Sequence, residues 1–193
     1  MEQPPQFIII GGGNGSGKST SAALVLGSDV PYINADEIAK GLPEVEGENK
    51  DVRASRILIN AMAEHEERRE DFAIETTLAS RSLAPRVRHL QETGYEFQLL
   101  FFWLNSPELN IQRVAERVRS GGHHIPEDVI RRRYVAGLKN FFSLYMPLAD
   151  TWGAYDNSIK GELKVVAEGK RDTIDVLLLP HSWERMKEIA DNG

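Results

Sequence analysis

Cysteine is missing altogether from the 193 residues, which removes disulfides, thiolate metal sites and cysteine nucleophiles and fits a reducing compartment. Long apolar runs are missing too. Phe7 to Ile10 is far too short for a signal core or a membrane span, and Met1-Glu2-Gln3-Pro4-Pro5 has no basic flank, so a cytoplasmic chain without membrane contact is expected. Positive charge is in deficit: the formal net charge of -6 disfavours a surface that tracks a nucleic-acid backbone, although a local basic cluster can still meet one anionic ligand. There is no internal repeat and no low-complexity tract. The length suits one compact core, so residues 1–193 read as a single domain.

What is present alternates between apolar runs and helical patterns. Phe7 to Ile10 is β-branched and ends in glycines, as a central parallel strand buried on both faces does, and a helix is expected from Gly17 to its stop at Gly27. Val30 to Ala35 reads as a short strand, 41–50 as a polar loop, and about Asp51 to Glu70 as a helix with a solvated, charged end. A strand over Asp71 to Thr77, a helix over Ser82 to Thr93 and an apolar strand over Phe97 to Leu104 follow. Pro107 to Ser120 and Pro126 to about Asp150 look helical; Gly153 to Asn157 and Leu163 to Ala167 look like late strands, and Trp183 to Ala190 like a last helix. The alternation predicts an α/β fold with a central, mainly parallel sheet between helical layers.

Gly12, Gly17, Lys18 and Ser19 satisfy G-x-x-x-x-G-K-[ST] directly between a buried strand and a helix, which is where a phosphate-binding loop must sit. Glycines let successive N–H groups turn inward, and the helix N-terminus adds its positive end, so the expected ligand is the polyphosphate of ATP or a close relative. The residues expected to hold it are Gly12, Gly13, Asn14, Gly15, Ser16, Gly17, Lys18, Ser19 and Thr20, with Lys18 on the terminal phosphates and the Ser19 hydroxyl on Mg²⁺.

Other classes of phosphate-loop protein leave marks that this chain lacks. Its most apolar strand ends in Asn105 rather than Asp-Glu, and neither Leu-Ser-Gly-Gly-Gln nor Asn-Lys-x-Asp occurs, so elimination leaves a small-molecule kinase of the P-loop type. The alternatives are a nucleic-acid end kinase and an ATP-responsive regulatory ATPase without an acceptor. Asp36, at the end of the second strand, reads either as the base that accepts a hydroxyl proton or as the cap of a short helix over Glu37 to Lys40. Arg113, Arg117, Arg119, Arg131, Arg132 and Arg133 surround Gly121-Gly122-His123-His124, a placement that suits an arginine-rich lid over about 107–135 or, equally, a solvated face paired with Glu116, Glu127 and Asp128. His123 and His124 have no further ligands near them in sequence and read as loop-shaping or phosphate-contacting groups rather than metal ligands.

The segments GGGNGSGKST, NADEIAKGL, IETTLAS, FFWL with SPELNIQRVAERV, and GGHHIPEDVIRRRY with a late YDNS together resemble the zeta-toxin family of P-loop kinases, in its short bacterial members. The resemblance implies ATP-dependent phosphorylation of a sugar hydroxyl of UDP-N-acetylglucosamine, and an antitoxin protein as partner. It assigns Lys18 to the loop lysine, Asp36 to the proton-accepting aspartate, Arg117 and Arg133 to the lid, and Glu75 and Thr77 to a Glu-x-Thr-x-Arg acceptor motif. Ala79 stands where that motif has arginine, and Arg81 is the nearest replacement. Asn157 reads either as facing the adenine or as part of an Asp-Asn-Ser turn.

Overall fold

The computed structural model describes residues 3–27, 29–45 and 47–193, and the side chains of Ala23 and Asp51 are left aside; Met1, Glu2 and position 46 of the expected 41–50 loop lie outside the described residues. Five strands run parallel: β1 (Gln6–Gly11), β2 (Tyr32–Asn34), β3 (Phe72–Thr76), β4 (Glu96–Trp103) and β5 (Thr151–Ile159). Two more, β6 (Glu162–Lys170) and β7 (Thr173–Leu177), extend the sheet antiparallel, giving the order β2-β3-β1-β4-β5-β6-β7. β7 was not foreseen in the sequence. Thr173 to Val176 alternate polar and apolar, but over only four residues and with every residue of the strand exposed, so the pattern is too short and too little buried to stand out.

Helices α1 (Lys18–Val25), α2 (Ala35–Gly41), α3 (Lys50–Arg68), α4 (Ala84–Glu92), α5 (Pro107–Arg119), α6 (Glu127–Asn140), α7 (Met146–Leu148) and α8 (Pro180–Asn192) complete the chain. Along β1 the side chains alternate. Phe7 and Ile9 join the larger core with Met62, Val87, Leu138 and Trp183, whereas Ile8 and Ile10 join a smaller one with Ala22, Leu100 and Phe102. That two-sided burial is why β1 reads as an unbroken apolar run. The expected long helix over Pro126 to Asp150 is interrupted by a π-helical turn at Phe141–Tyr145, which leaves the aromatic rings of both end residues fully buried. No described helix is long and apolar enough to cross a membrane.

β1 and β3 are neighbours, so their C-terminal ends lie side by side, with Gly11 opposite Thr76 and Ile10 opposite Glu75. β2 adds Asn34 beside Glu75. The loop after β1, the start of α2 and the end of β3 thus converge at one edge of the sheet, where doubly wound folds bind ligands.

Candidate active site

The loop from Gly12 to Gly17 wraps tightly enough for the Ser16 N–H to donate to the Gly13 carbonyl at 3.1 Å. Gly15 and Gly17 have φ of 78° and 86°, left-handed values that disfavour any side chain. Lys18 opens α1 and is buried. Its ammonium donates to the carbonyls of Gly12 at 2.7 Å and Gly13 at 3.0 Å and lies 3.6 Å from Glu75. Burial lowers the pKa of Lys18 below the usual lysine value; the charges of Glu75 and Asp36 oppose that fall, and the charge of Arg117 adds to it.

Glu75 gathers the donor side of the site. One of its oxygens accepts from the Ser19 hydroxyl at 2.7 Å, from the Asn34 amide at 3.0 Å and, in a very short bond, from the Tyr32 hydroxyl. Tyr32 is held in its neutral form, first by burial and then by the carboxylate it donates to. Ser19 and Glu75 present hard oxygen atoms beside the loop, a donor set suited to Mg²⁺, which is held by one or two carboxylates together with the phosphates of its ligand. Among the described residues no cluster of three His, Cys, Asp or Glu side chains forms a separate metal cage. The Ser16 hydroxyl is buried in the loop with no hydrogen-bond partner among the described residues, as expected of a cradle built for a polar ligand.

A cavity of about 510 Å³ opens from the loop and brings together Asn14, Lys18, Asp36, Glu75, Thr77 and Arg133. Asp36 is exposed in the second position of α2. The cap of that helix is Asn34, whose side-chain oxygen accepts the Asp36 N–H at 2.9 Å, so the capping alternative considered for Asp36 falls to its neighbour and leaves the Asp36 carboxylate facing the cavity. His123 and His124 also line the wall, though adjacent in sequence. Arg133 reaches the side-chain oxygen of Asn14 at 3.3 Å.

Other expected residues lie apart from the cavity wall. Arg117 is exposed and donates to the His123 carbonyl at 3.4 Å; Arg113 donates to the Ser158 carbonyl at 3.0 Å. Asn157 donates to the Ser16 carbonyl at 2.8 Å and so braces the loop from behind. Arg81 is exposed and does not line the cavity, Thr20 is exposed on α1, and Arg131 pairs with Glu108 at 2.5 Å.

Sequence reasoning passed over Tyr32, Asn34 and Asn110. The first two act through a strand pairing invisible in a linear reading. Asn110 did leave a signal: it falls one turn before Val114 on the apolar side of α5, where a polar residue needs a partner.

Known proteins share both sequence and shape with this chain. A protein of Haemophilus influenzae is 32% identical over 123 residues, 64% of this chain and 88% of that one. The crystal structure of AvrRxo1-ORF1:-ORF2 with ATP superposes with a TM-score of 0.73 at 16% identity, over 97% of this chain; the present chain spans only 64% of its length. A chain of the PezAT chromosomal toxin-antitoxin system of Streptococcus pneumoniae gives a TM-score of 0.59 at 16% identity, covering 100% of this chain and 86% of that one. The fold is that of the P-loop kinases. The Zeta toxin family matches residues 1–146, well over half of the sequence and all of the elements that build the cavity, and the chain belongs to that family.

Proposed function

We propose that the protein is an ATP-dependent kinase that phosphorylates a hydroxyl group of a small acceptor. The observation that carries this reading is one cavity shared by the loop lysine Lys18 and the free carboxylate of Asp36. In the proposed reaction the acceptor oxygen bonds to the γ-phosphorus of ATP as the bond to the β-γ bridging oxygen breaks, leaving ADP. The acceptor proton passes to Asp36. Lys18 and the loop N–H groups hold the phosphates, and Arg133, with Arg117 when the segment over 107–135 closes as a lid, neutralises charge on the group in transfer. Mg²⁺, bound with the nucleotide by Ser19 and Glu75, would neutralise phosphate charge.

For the acceptor we propose a sugar hydroxyl of a UDP-sugar such as UDP-N-acetylglucosamine, supported by family membership and by Thr77 on the cavity wall. Family membership also supports an antitoxin protein as partner. The test is incubation with ATP and Mg²⁺ plus UDP-sugars, other hydroxyl metabolites and RNA 5′ ends, following phosphate into each. Transfer to a UDP-sugar is expected. Transfer to RNA alone would replace the reading with an end kinase, and ADP release without any phosphorylated acceptor would replace it with an ATPase.

A further inference from the structure

Asn110 is fully buried in the first turns of α5, on the side of that helix that also carries Val114. Its amide donates to the Asn14 carbonyl at 2.6 Å, and its own side-chain oxygen has no partner among the described residues. A buried acceptor left unpaired is destabilising, so the donor must be what this position supplies. The loop is pressed against the same turn of α5: a Cβ on Gly13 would stand 2.8 Å from the Asn110 side-chain amide nitrogen, and one on Gly15 would stand 2.8 Å from the Asn110 backbone carbonyl oxygen and 3.3 Å from Arg113 Cβ. Asn14 is thus gripped twice, through its carbonyl by α5 and through its side chain by Arg133 of α6.

Asn110, Arg113 and Arg117 fall on one side of α5 at helical spacing, and Arg117 stands roughly 10 Å along the axis from Asn110. The charge of Arg117 is felt at Lys18. A shift of the loop at Asn14 therefore moves the root of the helix whose far end bears that arginine. We propose that Asn110 is a positioning residue that makes the phosphate loop and α5 move as one body, so that polyphosphate seated in the loop orders the arginine-bearing segment over it. The inference rests on the nucleotide-binding reading above and adds to it the route by which binding reaches Arg117.

The test compares wild type with Asn110→Leu, which keeps the branching and heavy-atom count of the side chain and removes the donor, and with Asn140→Leu. Asn140 makes the same kind of buried bond, to the Leu78 carbonyl at 2.8 Å rather than to a carbonyl of the loop. Trypsin cleavage after Arg117 and Arg119, both exposed, is followed with and without a non-hydrolysable ATP analogue and Mg²⁺. In wild type and Asn140→Leu the analogue should slow cleavage several-fold. In Asn110→Leu it should still bind but no longer slow cleavage, and kcat should fall by about tenfold or more with a smaller change in KM for ATP. Wild-type protection and kcat in Asn110→Leu would overturn the proposal, as would a wild type that binds the analogue with no protection at all. A wild type that binds no nucleotide fails the functional reading instead. If Asn110→Leu does not fold, Asn110→Ser, whose hydroxyl is too short to hold the Asn14 carbonyl, faces the same outcomes.

Discussion

The hydroxyl of Ser19 donates to Glu75 at 2.7 Å, joining the residue after the loop lysine to the end of the neighbouring strand β3. The other carboxylate oxygen lies 3.6 Å from the buried ammonium of Lys18. Glu75 is therefore the counter-charge of Lys18 as well as a candidate partner of Mg²⁺.

Glu75→Gln keeps the shape and removes that charge, stranding the Lys18 ammonium in a buried setting. A loss of about 3 to 5 kcal/mol of stability is expected, the scale for breaking a buried ion pair. Bound polyphosphate supplies the missing negative charge, so an ATP analogue should narrow the gap. Urea unfolding of both proteins with and without the analogue measures it; equal stability of the ligand-free proteins would show that Glu75 does not balance Lys18.

Tyr32 donates to the same carboxylate, and its hydroxyl titrates above the ordinary tyrosine value of 10.0. A group whose folded pKa is raised contributes stability that is complete below its unfolded pKa and is lost as pH rises through the folded one. Tyr32→Phe should therefore cost about 1 kcal/mol at neutral pH, the scale of one hydrogen bond, and the difference from wild type should hold constant up to about pH 10 and shrink above it. Comparing two proteins cancels the other tyrosines. A difference that grows with alkali would reverse the assignment.

Asp36 is exposed and leaves helix capping to Asn34, so Asp36→Asn should unfold at the wild-type temperature and bind ATP normally. Phosphoryl transfer should fall by about 10²-fold or more, the usual effect of removing a positioned general base. Turnover with the true acceptor, set beside ATP affinity, separates the two properties. Undiminished transfer would move the search for the base to the other polar groups of the cavity.

The legible parts of this fold were those written in consecutive residues. β1, the loop and α1 form a run, a motif and a helix, each visible because its determinants lie within a few positions of one another, although α1 ends at Val25 with Leu26 as its C-cap rather than at Gly27. β7 escaped because Thr173 to Leu177 is a short edge strand, exposed throughout, whose brief polar–apolar alternation is not reinforced by burial of either face. The role of Glu75 beside Ser19 escaped for a different reason: its partners Ser19, Tyr32 and Asn34 come from two other segments, and only the pairing of β3 with both β1 and β2 sets them around one carboxylate. Asn34 was overshadowed by Asp36, two residues on, since either side chain suits the start of α2 and only geometry chooses between them.

Position 13 is one of the free places in the phosphate-loop motif, yet it holds glycine, and its backbone is not among those with left-handed φ. What keeps a side chain out is the Asn110 amide, 2.8 Å from where a Cβ would stand. Gly13 is thus dictated from α5, nearly a hundred residues downstream, whereas Gly15 and Gly17 are dictated additionally by their own backbones. In a chain with a smaller residue at 110, alanine at 13 becomes sterically free while alanine at 15 or 17 stays strained. Substitutions at 13 and 110 are therefore expected to be accepted together, so that part of the loop's spelling records the helix behind it rather than the nucleotide in front.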